Sequence, residues 1–207
     1  MLEGRHVRLV PLDAAAHGEA LFESTSGPEH ERVWLYLFDG PYANRAEMDA
    51  ALRKKETSKD AFFFSILDVS TGGALGYVSY MRIDPPNRVI EVGNVLLAPA
   101  LQGTTGATEA MYLMARHAFD TLGYRRYEWK CNALNTPSRR AALRLGFTFE
   151  GVFRQHMIIK GRNRDTAWYS MLDSEWPSRR AALERWLHPA NFDAEGKQRR
   201  TLAECRA

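Results

Sequence analysis

The residues with the clearest chemical potential form the stretch Gln102-Gly-Thr-Thr-Gly-Ala-Thr108, between a β-rich run and a helical pattern. The run Val89 to Leu97 stops short of Pro99, which cannot donate to a ladder. After the loop, Ala107, Ala110, Met111, Met114, Ala118 and Leu122 recur at three- and four-residue spacings and define one apolar helix face. A strand, a loop of small residues and a helix start make an anion site. The first amides of a helix lack internal partners, and the helix dipole adds partial positive charge there. Small side chains let a phosphate approach the backbone closely. No Gly-Lys-Ser/Thr follows, which argues against a nucleotide-hydrolysing loop. On the loop alone, a plain strand–turn–helix corner is the competing reading.

The rest of the composition narrows the class. At 207 residues, with 45% apolar and 26% charged, the chain has the proportions of one well-buried globular domain. A formal net charge of +3 does not mark a nucleic-acid binder, although it would welcome anionic ligands. Cys131 and Cys205 are far apart and suggest no disulfide framework; Cys131, in a strand-like run, reads as a buried thiol. The six histidines have no metal-ligand spacing, so no metal is expected. With no apolar run of membrane length and no signal-peptide pattern, the expectation is a cytoplasmic protein without a membrane partner.

Several elements must position the loop. Residues 5 to 12 alternate as a first strand, and Asp13 caps a helix to Thr25. The segment Ser24 to Pro41 has no clean period and carries Trp34, Tyr36, Phe38 and Asp39. Asn44 caps a second helix from Arg45 to Lys55. Phe62 to Leu67 is apolar on both faces and reads as a central strand. Turns at Thr71–Gly73 and Asp84–Asn87 join it to Ala74–Ile83 and then to Val89–Leu97, an antiparallel meander. Gly123 ends the long helix, and Tyr127 to Asn132 alternates as a strand with one apolar face. A helix opens over Leu134 to Ser138, with Pro137 in its first turn, and ends at Gly146. Phe147–Phe153 and Thr166–Leu172 are strands of a last hairpin around Lys160–Asn163, and a helix runs from Glu175 through Leu187. Residues 1–190 are expected to form one domain, with 191–207 a polar, loose tail.

The order β-α-α-β-β-β-α-β-α-β-β supports one mixed α/β domain. Here the chain resembles a known family. Gln102-Gly-Thr-Thr-Gly-Ala107 is similar to the acetyl-CoA loop of the GNAT N-acetyltransferases, Gln/Arg-x-x-Gly-x-Gly/Ala, with Thr105 where that loop usually has glycine. Asn135-x-x-Ser138, then Leu145-Gly-Phe147, Glu150-Gly151 and Arg154 resemble the signature of the RimJ/RimL-like branch, as do Thr108-Glu109-Ala110, Gly161–Asp165 and Glu175-Trp176. The resemblance covers residues 5 to 175. It implies a mostly antiparallel central sheet with one splayed strand pair, flanked by helices.

It also implies chemistry. The pantetheine arm of acetyl-CoA would pair with the backbone of Val95, Leu96 and Leu97, with Gly93 the bulge that starts the splay. Gln102, Gly103, Thr104, Thr105, Gly106, Ala107 and Thr108 would hold the pyrophosphate; Asn135 would bond the arm, and Ser138 would lie near the thioester sulfur. Arg139 and Arg140 are candidates for the adenosine phosphates, against an ordinary solvated helix face. Transfer to an amine needs a base, and Glu91, on a largely apolar strand, is the candidate because burial would raise its pKa. An ion pair with Arg82 or Arg88 is the structural alternative. Many relatives carry a tyrosine acid seven residues after the asparagine, but here that position is Ala142, leaving Ser138 to serve the thiolate. Its alternative is helix capping. Trp34, Tyr36 and Asp39 fall where the family's first two helices cover the acceptor site and would suit a cationic amine; the alternative is that the rings simply pack on the meander.

The expected function is acetyl transfer from acetyl-CoA to a primary amine, either a protein N-terminus or a small molecule. The alternative is a catalytically weak acyl-CoA-sensing module, which Thr105 and Ala142 keep open. A homodimer is left open as well.

Overall fold

The computed structural model describes residues 1–206. A single eight-stranded sheet has the order β1-β2-β3-β4-β5-β6-β8-β7. Its strands are β1 (Leu2–Glu3), β2 (Val7–Pro11), β3 (Ala61–Asp68), β4 (Ala74–Asp84), β5 (Val89–Leu97), β6 (Arg126–Asn132), β7 (Thr148–Ile159) and β8 (Arg162–Leu172). Every neighbouring pair is antiparallel except β5 and β6, the two strands joined through a helix. The helices are α1 (Ala14–Thr25), α2 (Arg45–Glu56), α3 (Thr105–Arg116), α4 (Thr136–Leu145) and α5 (Trp176–Leu187). No helix among the described residues is long and apolar enough to cross a membrane.

The sheet has a core on each face. On one, Ile66, Val78, Ile90, Val92, Tyr127 and Trp129 pack beneath α3, α4 and α5. On the other, Phe63, Tyr77 and Leu96 pack with α1, α2 and Trp34. Leu96 shares a face with Glu91 only because β5 carries an extra residue. Tyr77 pairs with Leu96 and Ser79 with Gly93, so three steps on β5 answer two on β4. The bulge takes up the left-handed turn at Asn94 (φ 50°), whose carboxamide donates to Ser79 Oγ at 2.9 Å. The kink lies one residue beyond Gly93. Gly93 instead answers a close approach: a Cβ there would sit 2.5 Å from Met81 Sδ.

A buried carboxylate fastens the N-terminus to α3. Glu109 accepts from the amides of Arg5 (2.8 Å), His6 (2.7 Å) and Val7 (2.9 Å), closing the turn between β1 and β2.

Three expectations change. The last hairpin is longer than its alternation suggests, and Gly161–Asp165 lies at and within the start of β8. The long helix does not run evenly to Leu122; its last turn, His117–Thr121, widens to π geometry where Tyr80 OH takes the carbonyl of Met114 at 2.6 Å. Residues 191–206 are not a loose tail. Leu202 and Cys205 are buried in the first core, Trp186 Nε1 donates to Gln198 Oε1 at 2.8 Å, and the buried Asn191 side chain bonds the backbone at Trp186 and Arg200. Two apolar side chains and one buried carboxamide suffice to dock a segment that is polar in composition. Ala207 lies outside the described residues.

Candidate active site

The site begins where two parallel strands part. β5 and β6 pair from Val89↔Arg126 to Val92↔Trp129 and no further. Past that rung β6 stays bonded to β8 while β5 stays bonded to β4, so a V opens between them. The β5 edge from Gly93 to Leu97 faces the gap without a strand partner there.

The small-residue loop closes one end of the V. Gln102 Nε2 donates to Leu97 O at 2.9 Å, tying the loop to the end of β5. Gly103 adopts φ 73°, a conformation costly for residues with a Cβ, and turns the chain into α3. Thr104 is the N-cap, its hydroxyl accepting from Ala107 N at 3.2 Å. Among the described residues, the amides of Gly103, Thr105 and Gly106 find no partner. The predicted anion cradle is therefore narrower than its seven residues, since Ala107 N is spent on the cap. Thr108 Oγ1 accepts from Arg144 Nη1 at 3.0 Å, which brings a guanidinium to the helix start. Arg144 was not among the sequence candidates; its signal was a cation one turn beyond Arg140 on α4.

The opposite wall is α4. Asn135 is its N-cap, with Oδ1 accepting from Ser138 N at 3.1 Å. The capping role falls to Asn135 rather than to Ser138. Ser138 Oγ accepts from Trp129 Nε1 at 3.0 Å, which fixes the hydroxyl beside the last paired residue of β6. Arg139 is half-buried and not free: Nε donates to Tyr169 OH at 3.1 Å and Nη1 to Ala133 O at 3.2 Å. Those bonds brace α4 against β8 and, among the described residues, leave only Nη2 without a protein partner. The Cys131 thiol is buried and its pKa is pushed up by desolvation, as suits a packing residue.

Glu91 is 4% exposed, on the sheet face opposite α3. Its Oε2 meets Lys130 Nζ at 2.9 Å and Arg82 Nε at 3.5 Å. Arg82 was an expected partner; Lys130 was not. Lys130 also holds Glu128 at 2.7 Å, and Arg126 joins Glu128 (2.8 Å) to Glu150 (2.6 Å). Charges of alternating sign thus run along this face. Sequence alternation marks Glu128 and Lys130 as the wet side of β6, but Trp168 of the last hairpin and the neighbouring charges cover them. Burial pushes the Glu91 pKa up, and the Lys130 ammonium opposes that push. Among the described residues Oε1 carries no hydrogen bond; it lies beside Gly93, at the first unpaired rung.

The three residues expected to meet the acceptor separate. Trp34 is 1% exposed, packs in the second core and donates its Nε1–H to Thr25 O at 2.8 Å, so an acceptor cannot reach its ring. Asp39 Oδ2 is engaged by Tyr42 OH (2.7 Å) and by Lys55, so its charge is already paired within the segment and α2. Tyr36 lies against the β6–α4 loop: its hydroxyl donates to Leu134 O at 3.2 Å, bridging the irregular segment to that loop. The β7–β8 hairpin meets the same segment, Lys160 Nζ donating to Trp34 O at 2.9 Å. These two contacts tie the irregular segment to the β6–α4 loop and to the last hairpin. No group of three or more metal-ligating side chains occurs among the described residues.

Known proteins share this arrangement. A GCN5-related N-acetyltransferase from Brucella melitensis superposes with a TM-score of 0.97 at 51% identity, over 99% of this chain and 93% of that one. A probable GNAT-family acetyltransferase from Chromobacterium violaceum gives 0.80 at 40% identity, over 85% and 87%. The ribosomal-protein-serine acetyltransferase of Escherichia coli is 30% identical over 102 residues, 49% of this chain and 56% of that protein, so the match spans about half its length. Residues 6–148 match the acetyltransferase (GNAT) domain, and with the splayed β5–β6 pair opening beside the capped start of α3, the chain belongs to that family.

Proposed function

We propose that the protein moves an acetyl group from acetyl-CoA to a primary amine by direct attack. The parting of β5 and β6 after Val92 and Trp129, beside free helix-start amides, is the observation that carries this reading. The pantetheine arm is peptide-like, and the open edge of Gly93 to Leu97 can pair with it as with an added strand. The amides of Gly103, Thr105 and Gly106 can take the pyrophosphate, with Arg144 close by.

In the transfer a C–N bond forms and the thioester C–S bond breaks; the amine gives up a proton and the departing thiolate takes one. Glu91 Oε1, facing the first unpaired rung, receives the amine's proton directly or through water. Burial makes that carboxylate a stronger base, while Lys130 keeps it ionised. Ser138 Oγ already accepts from Trp129, so its own O–H remains to donate to the thiolate. Acceptors of two kinds fit this chemistry: protein N-termini, in keeping with an Escherichia coli relative named for a ribosomal protein, and small amines.

The test is free-thiol release from acetyl-CoA against a panel of N-terminal peptides and small amines. Saturating acetyl-CoA should also raise Tm, by an amount corresponding to about 2.7 kcal/mol at a hundredfold excess over Kd. Stabilisation without thiol release from any acceptor would make the chain an acyl-CoA sensor. No stabilisation by any CoA ester would end the reading.

A further inference from the structure

Arg164, on β8, carries a positive charge into the acceptor side without a protein partner. It is 7% exposed, and among the described residues its Nε is buried with no acceptor. Phe38, from the irregular segment, lies 5.0 Å from its guanidinium carbon. Alternation along β8 sets Arg164, Thr166 and Trp168 on one face, with Trp168 opposite Lys130 and Thr166 opposite Asn132. Lys130 stacks on Trp168 at 3.8 Å, so this is the face that also carries Glu91.

Three carboxylates could answer Arg164, and none bonds it. Glu91 attracts the guanidinium without a hydrogen bond, its Oε2 being shared by Lys130 and Arg82. Asp165 points to the opposite side of the strand and accepts from Gln155 N at 2.7 Å and Asn163 Nδ2 at 3.0 Å. Asp39, the neighbour of Phe38, is held by Tyr42 and Lys55. The alternating charges Glu150, Arg126, Glu128, Lys130, Glu91 and Arg82 balance one another, and among the described residues Arg164 is left without a carboxylate in contact. A buried guanidinium without a hydrogen-bonded anion is costly, and such a group points to a ligand that supplies one.

We propose that Arg164 binds a carboxylate of the acceptor, so that the acceptor is an amine that also bears a carboxylate, of the amino-acid class. This rests on the acetyl-transfer reading above. The planar fork matches a carboxylate through two parallel N–H···O bonds, and the Phe38 ring shields the guanidinium from water. A polyamine would bring a second positive charge against Arg164, with the Asp39 charge already paired to Lys55. A neutral amine would leave the guanidinium uncompensated.

The test uses α- and ω-amino acids of two to four carbons, each matched with its carboxamide, and spermidine as the cationic comparison. Rates are compared at equal concentrations of neutral amine. The wild type should prefer at least one acid over its carboxamide by about 10- to 100-fold in kcat/KM. Arg164→Gln should erase that preference while leaving KM for acetyl-CoA within about twofold, and Arg164→Lys should keep part of it. The same pairs are titrated calorimetrically against the acetyl-CoA complex, which gives a readout that needs no turnover. Equal handling of every acid and its carboxamide by the wild type, in both turnover and binding, overturns the proposal. So does an acid preference that survives in folded Arg164→Gln, or efficient turnover confined to spermidine or to peptides without a nearby carboxylate. Acid-selective binding without turnover would instead end the acetyl-transfer reading and leave the Arg164 site standing. Should Arg164→Gln not fold, the wild-type pairs and Arg164→Lys decide.

Discussion

Lys130 Nζ lies 2.9 Å from Glu91 Oε2, and the two residues straddle the rung at which β5 and β6 part. The contact joins the last residues of the continuous sheet to the first of the open V. It neutralises one carboxylate oxygen and leaves the other toward the gap. A group placed in this way can be both a structural tie and a proton acceptor.

Kinetics against pH separate the two roles. A base works only when ionised, so activity should rise with pH through the Glu91 pKa. Burial has moved that pKa up, and Lys130 holds part of the shift back. Lys130→Met should therefore carry the acidic limb to higher pH, and Glu91→Gln should lower kcat on the order of 10²-fold and flatten the limb. An unmoved limb in a folded Lys130→Met protein would mean that Glu91 is not the titrating base. Ser138→Ala should cost less than Glu91→Gln, since water can replace a hydroxyl whose orientation Trp129 fixes.

The far end of the same charge row predicts an effect on stability. The Arg126 guanidinium holds the Glu150 carboxyl down to about 2, helped by the Ser170 hydroxyl. A carboxylate depressed in the folded state contributes stability above its unfolded pKa and loses it as pH falls through the folded one. Urea midpoints of wild type and Glu150→Gln should differ at pH 6 and converge as the pH approaches 2. The pair is partly exposed, so the difference should shrink in high salt. A gap that persists at low pH would assign it to packing.

Thr105→Pro is the cleanest probe of the helix-start amides. Thr105 is the first residue of α3, where proline is tolerated, and the preceding Thr104 is extended (φ −89°, ψ 167°), as a residue before proline prefers. The change removes one free amide and no intrahelical bond. The fold should survive with Tm nearly unchanged, while Kd for acetyl-CoA rises on the order of tenfold. Gly106 is a poorer choice for this purpose, because a Cβ there would meet Val7 Cγ1 at 3.0 Å and Leu101 Cδ1 at 3.2 Å. Unaltered affinity in folded Thr105→Pro would move the phosphate site elsewhere.

The parts of this fold written in local chemistry were readable from the chain. The caps Asp13 and Asn44, the turns at Gly72 and Asp84, and the helix stop at Gly146 are short-range signals, and the element order follows from them. What escaped depends on partners distant in sequence. Glu128 and Lys130 look solvent-facing until the last hairpin sets Trp168 against Lys130 and the charges pair across the sheet. Arg164 reads as a turn residue because the hairpin's bulge and length leave no local signature. Leu202 and Cys205 are two apolar residues in a polar stretch, and only a groove beside α5 makes them core.

The irregular segment Ser24 to Pro41 gives the final prediction, because its aromatics split between packing and covering the site. Trp34 fills the second core and anchors to Thr25 O, so Trp34→Ala should cost about 3–5 kcal/mol of stability, the range for removing a large buried ring. Any kinetic damage should then fall on both Michaelis constants, through loss of the wall itself. Tyr36→Phe removes only the hydroxyl that donates to Leu134 O, a partly exposed bond between the segment and the β6–α4 loop. Its stability cost should stay near 1 kcal/mol or below. If the bridge holds the acceptor side closed, KM for the amine should rise a few-fold and KM for acetyl-CoA should not move. Equal changes in both constants would make Tyr36 a shared lid over cofactor and acceptor. An unchanged Tyr36→Phe, beside a Trp34→Ala that loses stability, would confine the whole segment to packing and leave acceptor choice to the β7–β8 hairpin.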